Sequence, residues 1–181
     1  MKKGFRILMV IGLIGCVSPV KAAEVFLFDV HGLYGGRNIW ITKDRTIHVQ
    51  KVYFENNIDY KLKEALYKWQ LTEPQFNELN DLIREADLKN LKMVKRLGVP
   101  DETYHLLYVR ENAQEDEQND YVIFKWADDR NSRFDKVYSF LIMISNSTKF
   151  FQPYQTGYYA HKYPAVAKEF PTLKKMLKDS E

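Results

Sequence analysis

Residues 71–91 read LTEPQFNELNDLIREADLKNL, and this stretch decides the fold. Thr72 is an N-cap residue and Gln75 stands three positions on, the capping-box pattern in which side chain and backbone satisfy each other's orphan groups. Leu71 before the cap and Phe76 four residues past it form a hydrophobic staple. Pro74 falls in the first turn, where a missing N–H does little harm. Phe76, Leu79, Leu82, Ile83 and Ala86 recur at helical spacing and make one apolar stripe, while Asn77, Asp81, Arg84 and Glu85 face away. A helix that is apolar on one side needs a surface to cover, and the segments around it read as strands.

Upstream, Val25 to Val30 (VFLFDV) is a compact apolar run and the first strand. His31 to Asn38 (HGLYGGRN) reads as a loop holding three of the eight glycines, with Gly35 and Gly36 free to take positive φ. Asn38 to Thr42 and Thr46 to Phe54 make two strands around a Lys43-Asp44-Arg45 turn. Alternation sets Ile39, Ile41, Ile47, Val49 and Tyr53 on one side and Trp40, His48 and Gln50 on the other. In Tyr60 to Leu71 the second half reads as a strand and the first half as a strand or a helical turn.

Downstream, Val99-Pro100-Asp101 introduces a strand from Tyr104 to Arg110. The charged stretch Glu111 to Asp120 has no apolar anchor and reads as a loop. A strand from Tyr121 to Ala127 follows, with Val122, Phe124 and Trp126 on one face. Ser132 and Asp135 suggest a second capping box, opening a helix with Phe134, Val137, Tyr138, Leu141 and Ile144 as its stripe. Phe150, Phe151, Tyr154, Tyr158, Tyr159 and Tyr163 crowd the next stretch, expected to finish the core over a sheet edge, and a short helix with Phe170, Leu173 and Leu177 closes the chain. The expected fold is α+β: an antiparallel sheet of five to six strands with two main helices on one face, plus an aromatic-rich C-terminal extension. The expected division is a signal peptide over 1–22, a domain over 23–148, and an extension over 149–181 packed on it.

The N-terminus carries the compartment. Lys2, Lys3 and Arg6 precede a short apolar core from Ile7 to Gly15, and Ser18 to Ala22 ends in a small-residue cleavage pattern. Cleavage near Ala22 leaves a periplasmic or secreted chain of bacterial type. The single cysteine offers the alternative, since Leu13-Ile14-Gly15-Cys16 matches a lipobox, and lipidation at Cys16 gives a membrane-anchored lipoprotein. In both cases no disulfide holds the domain, which must stand by packing.

Four of the 27 basic residues (Lys2, Lys3, Arg6, Lys21) and none of the 24 acidic ones lie in the signal, leaving 23 against 24 and a mature charge of −1. With its basic residues dispersed, the chain is not expected to bind nucleic acid.

Catalytic signatures such as the nucleophile elbow, the P-loop and the H-E-x-x-H helix are missing from the sequence. The four histidines, His31, His48, His105 and His161, stand far apart, so no metal ligand set is assigned; His48 and His105 lie on strands that could bring them together. Asp101 and His105 are an acid–base pair on the catalytic reading, whereas Asp101 after Pro100 is more simply a turn residue. The expected partner surface is Tyr34, Gly35, Gly36 and Arg37, where glycines permit close approach and Tyr and Arg dominate interface energetics.

Gly35-Gly36, the helix of Leu71 to Leu91, Val99-Pro100-Asp101 with Tyr104, and the helix from Phe134 occur in an order that resembles the emfourin-type inhibitors of thermolysin-like metalloproteases. The resemblance spans roughly residues 31 to 145 and implies a small α+β inhibitor with Gly35 to Arg37 near its partner. The exported N-terminus, the insertion around Asn56 to Glu64 and the aromatic tail depart from that pattern. The expected function is a non-catalytic module for a protein or peptide partner in the cell envelope, with no cofactor, and with membrane attachment only through Cys16. A lipoprotein with a structural or assembly role is the alternative, and an envelope enzyme ranks behind both.

Overall fold

A computed structural model describes residues 23–31, 35–55, 61–93, 97, 102–110 and 120–159. Among them, seven strands form one antiparallel sheet: β1 (Glu24–His31), β2 (Gly35–Ile41), β3 (Thr46–Phe54), β4 (Leu62–Gln70), β5 (Tyr104–Arg110), β6 (Asp120–Trp126) and β7 (Gln155–Tyr158). Their order is β6-β5-β1-β2-β3-β4-β7, which puts β2 at the centre of the sheet and β1 inside it between β5 and β2. Two helices, α1 (Glu73–Ala86) and α2 (Ser132–Ser145), cover one face.

The α+β architecture is as the sequence predicts, with more strands than the expected five to six. Leu62 to Gln70 is extended throughout, so the helical turn considered for its first half does not form. The extra strand is β7, from the aromatic C-terminal stretch, which pairs with β4 from Lys63↔Tyr158 to Leu66↔Gln155. Of these aromatics, Tyr154, Tyr158 and Tyr159 join the edge of β4 through their backbone. Phe151 stacks on Trp69 with centroids 5.0 Å apart, yet it stays exposed, as do Phe150, Tyr154 and Tyr158. β1 runs through His31 and β2 begins at Gly35, so the ladder extends into what reads as a long loop.

Thr72 caps α1 as the capping box requires: its hydroxyl accepts from the Gln75 amide, and its own N–H donates to the Gln75 side chain at 3.0 Å. Asp87 ends the helix in the left-handed region, φ 43°. The second cap differs from the prediction by one residue. Asn131, not Ser132, caps α2; its side chain accepts from the amides of Arg133 and Phe134, and Asp135 accepts from the Asn131 N–H at 3.0 Å. The pairing of an oxygen with first-turn amides is kept, and the residue in extended geometry supplies it.

Odd positions of β1, β2, β3 and β5 face the helices. Val25, Leu27, Ile39, Ile41, Ile47, Val49, Leu107 and Val109 meet Leu79, Ile83, Phe134, Val137 and Leu141 in the main core. Each such side chain, taken fully from water, contributes about 1.5–3 kcal/mol. The opposite face carries a second cluster, Phe26, Trp40 and Tyr108, and a third, Val30, Val52 and Leu62, against which Tyr159 packs. Asn80 is a polar member of the helix stripe. It accepts from the Ala23 amide at 3.0 Å and donates to the Phe76 carbonyl at 2.9 Å, tying the chain before β1 to α1.

Candidate functional site

The parity that buries Val25 and Leu27 carries on along β1 to Asp29 and His31, so two polar residues point at the helix layer. Asp29 pairs across to Arg37 in β2. Leu107 pairs with Leu27, so His105, two residues before it, comes beside Asp29. Lys125 of β6 pairs with His105 on the same face. Tyr138 of α2 closes the group from above.

Asp29 is the hub. Its Oδ1 lies 2.8 Å from His105 Nδ1 and 3.1 Å from His31 Nε2, and its Oδ2 accepts from the Tyr138 hydroxyl at 3.0 Å. The His105 ring lies 4.5 Å from the Tyr138 ring and 6.1 Å from that of His31, which it meets edge-on. The three side chains are mostly out of water: Asp29 is 11% exposed, His105 12% and His31 18%. Burial pushes the Asp29 carboxyl up, but the bonds from His105 and His31, the charge of His105 and the Tyr138 bond outweigh it and hold the pKa at about 2. Burial, with the Asp29 charge and bond beside it, pushes the Tyr138 hydroxyl well above the usual phenol range.

A polar relay supports Asp29 from behind. Its backbone N–H donates to Asn38 Oδ1 at 3.1 Å; Asn38 Nδ2 donates to Gln50 Oε1 at 2.7 Å; Gln50 Nε2 donates to Glu64 Oε2 at 2.6 Å. Burying these amides is tolerable because each finds a partner.

Of the residues predicted as a partner surface, Gly35 and Gly36 are set close against neighbouring strands. Gly35 and Gly36 have φ of 75° and 136°, and a Cβ on Gly36 would lie 2.1 Å from the Asp29 carbonyl oxygen. Glycine is needed there by close strand approach. Arg37 donates to Ser145 Oγ and Asn146 Oδ1 at the end of α2, both at 2.8 Å. Tyr34, Asp101 and Cys16 lie outside the described residues. His48 does not meet His105: it has the opposite parity, sits on the other face and stacks on Trp40 with centroids 4.7 Å apart. The sequence reading thus missed Asp29, His31 and Tyr138 as a group. Its one available signal was an aspartate and a histidine at the core-facing parity of an apolar strand.

A second feature lies at the other side of the helix layer. A cleft of about 980 Å³ opens between β6 and the 3₁₀ turn Leu88–Asn90 that follows α1, lined by Leu88, Leu91, Met93, Tyr121, Ile123 and Trp126, among others. It shares Leu91 and Lys92 with a smaller cavity of about 490 Å³ lined also by Asn90, Arg130, Asn131, Ser132 and Arg133. Lys92 and Arg130 are exposed, whereas Arg133 is bound to the Ala86 and Asp87 carbonyls.

No protein-family model matches this chain, and neither a curated protein nor a solved structure matches it.

Proposed function

We propose that this chain is an exported, non-catalytic binding domain of the bacterial envelope that takes an apolar segment of a protein or peptide flanked by acidic groups. The observation that carries this reading is the continuity of the apolar cleft with the basic cavity, through Leu91 and Lys92. A volume of about 980 Å³ is at the upper end for concave ligand sites, which range over roughly 300–1,000 Å³. Apolar side chains would leave water in the cleft, and a neighbouring carboxylate would meet Lys92 and Arg130. The resemblance to emfourin-type inhibitors agrees with a binding role, and a protease is one partner of the right kind. The engagement of Arg37 with α2 favours the cleft over the β1–β2 end as the binding surface.

The test is selection of peptides from a random library on the immobilised protein, with a Lys92→Glu/Arg130→Glu double variant as control. Both positions are exposed, so the fold should be unchanged. The expected result is enrichment of apolar residues next to Asp or Glu, lost in the variant. Enrichment that is equal on both baits, or of basic peptides, would overturn the reading.

A further inference from the structure

We propose that Asp29, His31 and His105 form a three-ligand site for a divalent transition-metal ion of the zinc class. One carboxylate oxygen faces two imidazole nitrogens, at 2.8 and 3.1 Å, and the three ligand atoms all lie within 4.8 Å of one another. A structural His–Asp pair needs one imidazole. A second one converging on the same oxygen gives the ring nitrogens and the carboxylate a common centre, which is the arrangement a metal requires.

The distances suit it. Ligands of a tetrahedral zinc ion sit about 2.0–2.1 Å from the metal and hence about 3.3 Å from one another. Opening the two observed separations of 2.8 and 3.1 Å to that value takes about half an ångström or less. The nitrogens now placed toward Oδ1 must present lone pairs instead, so each proton moves to the other ring nitrogen or leaves to solvent. Two imidazoles and one carboxylate are the ligand types that zinc-class ions accept. Three protein ligands leave a fourth position for water.

The outer shell is in place as well. The Tyr138 hydroxyl holds Oδ2 at 3.0 Å, turning Oδ1 toward the histidines, and the Asn38 amide fixes the Asp29 backbone at 3.1 Å. Three cations of β2, β3 and β6 share this face, and two of them are directed elsewhere. Arg37 reaches Ser145 and Asn146, and the Lys125 ammonium lies 3.4 Å from Asp135 and 3.3 Å from the Trp126 carbonyl oxygen. Lys51 stands opposite Arg37, one strand further from Asp29. A bound ion would join β1 to β5 directly and α2 through Tyr138. This inference is independent of the cleft.

Sequence spacing hides the site, because His31 and His105 stand 74 positions apart in the chain and become neighbours only through the β1–β5 ladder.

The purified full-length protein, stripped with chelator, is titrated with Zn(II) against a chromogenic competitor and with Co(II) followed by its visible absorption. One ion per chain is expected, with the intense bands of four-coordinate cobalt. His31→Ala and His105→Ala should each weaken binding by about 100-fold or more and abolish those bands, and Tyr138→Phe should cost about 10–100-fold. His48→Ala, on the other face, should bind as the parent does. Circular dichroism of the metal-free variants checks folding, and if His105→Ala is unfolded the more exposed His31→Ala carries the test. Binding that survives unchanged in His31→Ala, or a parent affinity no tighter than that variant's, overturns the proposal.

Discussion

The helix-covered face of the sheet has two ends, built on the same strands by opposite means. At one end Val25, Leu27, Ile39, Ile41, Leu107 and Val109 are fully buried under α1 and α2. At the other, β1, β2 and β5 present Asp29, His31, Arg37 and His105, which reach α2 through Tyr138, Ser145 and Asn146. The apolar end is held by non-directional burial, where any side chain of the right volume contributes. The polar end is held by bonds of fixed direction, where each group is worth having only while its partner is present. One end specifies stability. The other specifies how β1, β5 and α2 are arranged, and only it responds to protons.

The contrast can be broken most easily at its apolar side. Leu27→Ala should lose about 3 kcal/mol or more in urea unfolding, because a fully buried leucine leaves a cavity that its neighbours cannot close. Asp29→Asn should cost less, about 2 kcal/mol at neutral pH, since the hub keeps its shape but loses its charge-assisted bonds. A loss in Asp29→Asn equal to that in Leu27→Ala would mean that the two ends are not distinct in kind.

Acid sharpens the same contrast. The Asp29 pKa falls from 3.8 to about 2 on folding. Its contribution is therefore complete above about 4 and is lost as pH drops through about 2. That difference corresponds to about 2 kcal/mol. The parent should lose this much between pH 4 and pH 2, and Asp29→Asn should lose correspondingly less over the same window. Parallel stability curves for the two proteins would show that the carboxylate is not the acid-sensitive element.

The smallest expected effect is that of Tyr138→Phe, about 1 kcal/mol at neutral pH. Combined with Asp29→Asn it should cost less than the sum of the two, because both changes remove the same 3.0 Å bond. Strict additivity in that double-mutant cycle would show that the Tyr138 hydroxyl does not act through its bond to Asp29.

The fold was legible where local chemistry and hydrophobic period agreed. Thr72 and Gln75 announced α1, and the Ile39/Ile41 and Val122/Phe124/Trp126 alternations assigned faces that the structure keeps. β7 was not legible, because Gln155 to Tyr158 is exposed throughout and has no amphipathic period to read. It is a strand only because β4 offers an edge. The α2 cap slipped by one residue for a related reason, since Asn131 and Ser132 are both competent caps and the backbone geometry selects between them.

The candidate sites divide in the same way. The glycines at 35 and 36 were visible as positions of positive φ, but whether that freedom serves a partner or a neighbouring strand depends on where the Asp29 carbonyl lies. The histidines were visible singly. Parity alone could have separated His48 from His105 once the strands were in register, and only the register supplied that.

What the sequence by itself determined is therefore the set of local elements and the sides they turn inward: a capped amphipathic helix, strands of period two, and a second helix with Tyr138 on its apolar stripe. These follow from interactions between residues a few positions apart, which composition and spacing encode directly. Only the tertiary structure decided that Asp29, His31, His105 and Tyr138 share one point and that Leu88, Leu91 and Ile123 line one cleft. Their convergence is set by strand order and by where each helix lies on the sheet, which are properties of long-range pairing and not of any single stretch.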